Sequence, residues 1–467
     1  MMLTYNLSLK TSTPLYVRLY DFIKSDIEQN KLKACEKLPS KRGLAKHLNI
    51  SIITVENSYN QLLSEGYIYS IEKKGYYVAK LENISTFVIR DLPVEPPKIE
   101  NSDCFIDLRQ NTIIAENFPF SVWAKLTRQV LSGKDEEILQ RQDYQGTEKL
   151  RNAIANFLYH FRGMNVKKEQ VIIGAGTEQL YGMLANIIGR NKLIAIEDPG
   201  YKKISQIYDY NNIKYLYIPM DNKGLSVQKL SESKAKIAHI SPAHHFPTGI
   251  TTQIGRRIEL LNWAQQSDER FIIEDDYDSE FRFVGKPLPT MQSIDKNGKV
   301  IYVNTFSKSI SPAIRISYMI LPENLLRKSE EVLGYSSCAV SSLEQYTLSE
   351  FIANGHFERH INKMSRVYKI KKDMIINEIN KNFDNIDFEI LEENSGLHFI
   401  LSVNTKLTDE ELIEAAKNKN IKIACLSQYY TDKSKCEPHM ILINYTGIEN
   451  EKIADGIKKL SEIIKCE

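Results

Sequence analysis

Val300-Ile301-Tyr302-Val303-Asn304-Thr305-Phe306-Ser307-Lys308-Ser309 is an apolar run that ends in a serine and a lysine, with Arg315 seven residues past the lysine. An uninterrupted apolar run of this length reads as a short buried strand, and Ser307-Lys308 then stand at its carboxyl end, where open α/β sheets place their ligands. Upstream, Phe271-Ile272-Ile273-Glu274-Asp275-Asp276-Tyr277 repeats the design, an apolar strand emptying into carboxylates and a phenol. An amine, a carboxylate and a phenol at neighbouring strand ends are what a pyridoxal phosphate (PLP) site requires. The amine forms a Schiff base with the cofactor, and the acid holds its pyridine nitrogen.

A chain of 467 residues exceeds what one hydrophobic core organises, so two or more domains are expected. Hydrophobic content of 42%, charged content of 26% and a net charge of +2 describe an ordinary globular protein and point to no nucleic acid globally. The charge is uneven. Residues 1–80 hold 12 Lys and Arg against 7 Asp and Glu, a net +5 that leaves −3 for the rest. A small basic segment on a slightly acidic body is a pattern for DNA binding. The six cysteines (35, 104, 338, 425, 436 and 466) form no C-x-x-C pair and no metal-type spacing. No metal site is expected, and a reducing cytoplasm fits. Met1–Lys10 lacks the charged start and apolar core of a signal peptide, and no apolar run approaches the roughly 20 residues that span a bilayer, so no membrane partner is expected.

Leu15, Val17, Leu19, Tyr20, Ile23 and Ile27 recur at close to helical spacing within Pro14–Gln29. Ser40 is placed to cap a second helix carrying Leu44, Ala45 and Leu48. Asn49-Ile50-Ser51 forms a tight turn, and Ser51 caps a third helix through Val55, Tyr59 and Leu62. Two short helices joined in this way make a helix-turn-helix. Tyr67–Ser70 and Gly75–Val78 read as two strands around a wing tip, Glu72-Lys73-Lys74-Gly75.

Leu38-Pro39-Ser40-Lys41-Arg42, Leu44-Ala45, Ser51 with Thr54-Val55, Leu62 to Tyr67 and the Gly75 wing together resemble the winged helix of the GntR family of bacterial regulators. The resemblance implies double-stranded DNA as a partner, touched by Ser40, Arg42, Ser51, Thr54, Asn57, Lys74 and Gly75. Ile52 stands where that family usually has arginine, so the operator preference does not carry over. From Lys80 to Asp103 the pattern loosens around Pro93, Pro96 and Pro97 and reads as a linker. Beyond it, Val171-Ile172-Ile173 leads into Gly174-Ala175-Gly176-Thr177, small residues that expose backbone N–H groups at a helix start and make a phosphate cradle.

Residues 104–467 resemble the fold-type I aminotransferases through that turn, through Glu197-Asp198-Pro199-Gly200-Tyr201, Ser241 to Gly249 and Glu274 to Arg282, and through Lys308 with Arg315, Gly355 to His360 and Gly396-Leu397-His398. Joined to a GntR-like head, the chain resembles the MocR-type regulators. The implied layout is multi-domain: a winged helix-turn-helix over 1–79, a linker over 80–103 and an α/β aminotransferase-like PLP domain over 104–467. By this resemblance Lys308 carries PLP, Asp275 accepts from the pyridine N–H and Tyr277 bonds the ring oxygen. Tyr201 stacks on the ring. Ser307, Arg315 and the backbone of Gly176 and Thr177 hold the phosphate, and His244 contacts the ring oxygen; His245, where relatives more often have glutamine, is the other candidate. A homodimer sharing its site across the interface is also implied.

The substrate side departs from the enzymes. Leu442, in Ile441-Leu442-Ile443-Asn444-Tyr445, stands where the family's carboxylate-gripping arginine belongs, and a leucine cannot pair with a carboxylate. Lys202 and Lys203 are the nearest surviving cations. Three functions stay open: a regulator sensing PLP itself and controlling vitamin B6 metabolism genes, a regulator sensing an amino acid or amine through bound PLP, and a working aminotransferase with an accessory head. The missing arginine favours the first.

Overall fold

A computed structural model describes residues 3–5, 7, 13–81, 104–109, 112–133, 135–283, 288–394 and 396–465. They divide into two compact units, Met1–Glu100 and Asn101–Glu467. All but the first two residues of the expected linker, with its three prolines, lie outside the described residues.

In the first unit, α1 (Leu15–Glu28), α2 (Lys41–Leu48) and α3 (Ile52–Ser64) precede the antiparallel pair β1 (Ile68–Ile71) and β2 (Gly75–Val78). The starts of α2 and α3 follow from their caps: Ser40 Oγ accepts from Gly43 N and Ser51 Oγ from Thr54 N, each at 3.1 Å, satisfying N–H groups that have no partner within the helix. Between them Asn49 adopts φ 54°, the left-handed turn that asparagine tolerates. Leu19, Ile23, Leu44, Val55, Tyr59 and Leu62 meet in one core, so the helical stripes read from the sequence are the faces that pack.

The second unit opens with β3 (Ile106–Asp107). Its main sheet holds β4 (Val171–Gly174), β5 (Ile194–Asp198), β6 (Tyr215–Asp221), β7 (Gly224–Leu225), β8 (Ile237–Ile240), β9 (Phe271–Asp276), β10 (Val300–Thr305) and β11 (Ser317–Ile320), in the order β4-β11-β10-β9-β8-β5-β6-β7. Strands β10, β9, β8, β5 and β6 are parallel, while β11 runs against both β10 and β4. Hence β4 points the same way as β10, and the carboxyl ends of β4, β5, β8, β9 and β10 share one edge. Every residue of these strands is buried, as expected of a sheet covered on both faces, and this is why β4, β9 and β10 open on apolar runs. A smaller sheet is built from β12 (Phe388–Leu391), β13 (His398–Val403), β15 (Ala424–Cys425) and β16 (Met440–Asn444), while β14 (Ile421–Lys422) pairs with β3. Among the described residues no helix is long and apolar enough to cross a membrane.

Candidate functional site

The shared edge of the main sheet carries a cavity of about 430 Å³. Each carboxyl end contributes to its wall: Thr177 and Glu178 after β4, Gly200 and Tyr201 after β5, Ser241 and His245 after β8, Asp275 and Tyr277 from β9, and Ser307 and Lys308 after β10. Parallel pairing sets the register, with Val303 beside Asp275 and Asn304 beside Asp276. Lys308 follows β10 on one short helical turn, Phe306–Ser309, whose cap Thr305 accepts from Ser307 N at 3.2 Å. Burial pushes the Lys308 ammonium below the ordinary lysine value, partly opposed by the Asp278 carboxylate. A lysine so shifted is more readily neutral and nucleophilic.

Asp275 is held from behind. Tyr181, one turn along the helix Thr177–Ile188, donates its hydroxyl to Asp275 Oδ2 at 2.7 Å. Burial and the adjacent Asp275 raise that phenol well above its usual value, so it stays a donor. His239 Nε2 lies 3.7 Å from the same oxygen, and its Nδ1 meets the Tyr208 hydroxyl at 2.6 Å. Asp275 Oδ1 is buried with no hydrogen-bond partner among the described residues. A buried carboxylate oxygen without a partner is costly unless a donor arrives, and a protonated ring nitrogen is such a donor.

The opposite end of the cavity is cationic. Gly176 has φ 92°, and a Cβ there would lie 2.5 Å from Arg315 Nη2 and 2.8 Å from Glu178 Oε2, so only glycine fits. Arg315 Nη2 donates to Glu178 Oε2 at 2.7 Å, and Lys203 Nζ lies 2.5 Å from Glu178 Oε1. Glu178 is held down at about 2, its two cationic partners and the helix-start backbone outweighing the opposing desolvation. A glycine turn, a helix start and a guanidinium suit a phosphate group. Together with the amine and the orphaned carboxylate oxygen they fit pyridoxal phosphate.

Two expected residues sit differently from each other. Tyr201 lines the cavity, 46% exposed, edge-on to Phe246 with ring centroids 5.3 Å apart. His244 is not among the lining residues. Its Nδ1 contacts Asp278 Oδ2 at 2.9 Å and the Tyr277 hydroxyl at 3.2 Å, and its ring packs on His398, so it is linked to the cavity through the lining residue Tyr277. His245 faces the cavity instead, 3.4 Å from Glu197 Oε2, and burial pushes it down to about 3.

Sequence reading missed Tyr181, His239, Glu197 and Arg109, all of which line the cavity. The position of Tyr181 four residues past Thr177, on one helix face, was the available signal for the first. Glu197 accepts from Ser241 N at 3.0 Å, and burial raises its carboxyl to about 8. The acid is therefore protonated in the folded chain at neutral pH and ionised when unfolded. A raised folded pKa gives stability that is complete below the unfolded value, roughly 4.3, and lost as pH rises through the folded one. Urea unfolding of the body is accordingly expected to show a midpoint that falls from pH 5 to pH 8.5, and to fall less in Glu197→Gln; an equal fall in both excludes Glu197 as the cause.

Leu442 is 1% exposed and packs with Ile400 and Leu426, with Phe246 and Tyr429 against them. Asn444, two residues on and on the same face of β16, lines the cavity. Arg109 lines it too, but its fork is taken by Asp107, Nε to Oδ1 at 3.1 Å and Nη2 to Oδ2 at 2.9 Å.

Comparison with known proteins accounts for both units. Residues 15–78 match the bacterial regulatory proteins of the gntR family, and residues 105–460 match aminotransferase class I and II. The HTH-type transcriptional regulator YdeL of Bacillus subtilis (strain 168), itself named as uncharacterized, is 38% identical over 96% of this chain and 96% of its own length. The HTH-type pyridoxine biosynthesis transcriptional regulator PdxR of Corynebacterium glutamicum is 26% identical over 90% of this chain and 89% of its own. Among solved structures, the multiple substrate aminotransferase from Thermococcus profundus superposes with a TM-score of 0.68 at 26% identity, covering 79% of this chain and 92% of that one. With a gntR-type head and a body of the PLP-dependent fold-type I kind, the chain belongs to the aminotransferase class I and II family, in its helix-turn-helix regulator form.

Proposed function

We propose that this protein is a DNA-binding transcription regulator for which PLP is itself the signal, and that it controls genes of vitamin B6 metabolism. The observation that carries this reading is Leu442. An apolar side chain sealed among Ile400, Leu426 and Phe246 offers no grip on a carboxylate, and Arg109, the lining arginine nearest in kind, spends its fork on Asp107. Amino-acid recognition and turnover both depend on such a grip. The relative named for pyridoxine biosynthesis regulation supports the same choice.

In this reading Lys308 attaches the cofactor, Asp275 accepts from its ring nitrogen, and Tyr277 bonds its ring oxygen. Tyr201 covers a ring face. Ser307, Arg315 and the backbone at Gly176 and Thr177 hold the phosphate. When bound, PLP supplies an electrophilic carbonyl on an electron-accepting ring. Tyr181 keeps Asp275 fixed as an acceptor, and the burial that lowers Lys308 keeps its amine available. A homodimer would present paired heads to paired half-sites.

Glu178 sets the affinity. Its carboxylate holds Arg315 and Lys203, the cations a phosphate needs. Glu178→Gln is expected to tighten PLP binding about tenfold, the worth of one close, partly exposed charge. An absorbance titration reads this, and weaker binding in the variant would show that Glu178 orients Arg315 for the phosphate rather than competing with it.

The test of the reading as a whole is operator affinity and footprint with the cofactor-free chain, with PLP, and with PLP plus a panel of amino acids and γ-aminobutyrate. PLP alone is expected to change affinity within the 5–150-fold span of ordinary two-site coupling, with little added by any amino acid. A footprint indifferent to PLP and responsive to one amino acid overturns it.

A further inference from the structure

The thirteen residues of α3, Ile-Ile-Thr-Val-Glu-Asn-Ser-Tyr-Asn-Gln-Leu-Leu-Ser, contain no lysine or arginine. The helix buries Val55, Ser58, Tyr59 and Leu62. Its single charged residue, Glu56, is paired with Lys41 on α2 at 2.5 Å. At its amino-terminal turn Ile53 is 67% exposed and Ile52 48%. Asn57, four residues after Ile53 and so on the same face, is also exposed. Two β-branched aliphatic side chains this open to water, at the end of a helix that a helix-turn-helix offers to the major groove, call for an apolar surface on the partner.

The base edges differ in what they offer there. Guanine is read most often by arginine or lysine, and cytosine by a carboxylate. The helix has no cation, and its one carboxylate is engaged by Lys41. Adenine is read by an amide through N6 and N7, and thymine presents a 5-methyl group to apolar side chains. Resting on the DNA-binding reading above, we infer that α3 reads A·T pairs, with Ile52 and Ile53 against thymine methyl groups and Asn57 against an adenine edge. Arg42 and Lys46 on α2 and Lys73 and Lys74 on the wing, all exposed, supply the phosphate contacts that carry affinity without reading sequence.

The inference is tested with the full chain and a pool of random duplexes. Selected half-sites are expected to have A·T pairs at their core. Deoxyuridine in place of each contacted thymidine removes only the methyl group and should weaken binding about fourfold per site, the worth of burying one such group. Ile53→Ser, at a side chain outside the core, should keep the fold by circular dichroism, still bind DNA, and lose sensitivity to one of these substitutions. Asn57→Ala should relax the preference for adenine at one position. A selected core of G·C pairs, or binding indifferent to uracil at every position, overturns the inference while leaving DNA binding in place. Ile53→Ser that alters sedimentation of the free protein but not the uracil response also overturns it, assigning the isoleucines to a contact between chains. A chain that retains no duplex at all removes the DNA-binding reading and this one together.

Discussion

Lys308→Ala is expected to abolish covalent retention of PLP: after borohydride treatment, peptide mass spectrometry should find no cofactor-labelled lysine, and the visible absorbance of the bound cofactor should be gone. The effect is all-or-none because an alanine has no amine to offer, and Lys308 follows directly from the strand that lies beside Asp275. The fold should survive. Lys308 stands on a short helical turn at the cavity wall and is not part of the apolar core, so circular dichroism and the urea midpoint are expected to move little. Lys203 is the informative control, since it also lines the cavity but is held by Glu178. A labelled Lys203 in the variant, at the wild-type yield, would move the attachment site and refute the assignment.

Arg162→Leu has the largest expected effect on stability. Arg162 Nη2 donates to Asp276 Oδ2 at 2.8 Å, and the two side chains are 3% and 1% exposed. The Tyr302 hydroxyl donates to the same oxygen at 2.8 Å, tying the pair to β10. Removing one partner of a buried pair costs about 3–5 kcal/mol, because the other charge is left in a medium that solvates it poorly. Urea unfolding should therefore shift strongly, and Arg162→Leu combined with Asp276→Asn should recover part of the loss, since no charge is then stranded. A single variant within about 1 kcal/mol of wild type would mean that water reaches Asp276 and the site is not sealed. The consequence for function is indirect. Asp276 is the neighbour of Asp275, and the pair fixes the end of the strand from which Asp275 and Tyr277 project.

Much of this architecture was legible in the chain. Ser40 and Ser51 as caps, Asn49-Ile50-Ser51 as a tight turn and the apolar stripe of α1 are local matters, set by hydrogen bonds and periodicities within a few residues. The strands Val171–Gly174, Phe271–Asp276 and Val300–Thr305 were equally plain because burial on both faces makes their leading residues a short apolar run. Lys308, Asp275, Tyr277 and the Gly176 turn were found because each sits at the end of such a strand, and Lys308, Asp275 and Tyr277 do meet in one cavity, with Thr177 beside Gly176 also on its wall.

What only the tertiary structure decided is which side chains face one another across long stretches of chain. Glu178 and Arg315 are 137 residues apart, Tyr181 and Asp275 94, and no local pattern records either contact. Nor does the sequence say that His245 faces the cavity while His244 turns to Asp278, for adjacent residues of a loop point where its path sends them. Leu442 shows both limits at once. Its identity alone removes a grip on a carboxylate, a matter of side-chain chemistry. That the place is sealed by Ile400, Leu426 and Phe246 follows only from packing, because a neighbour in space can come from anywhere in the chain.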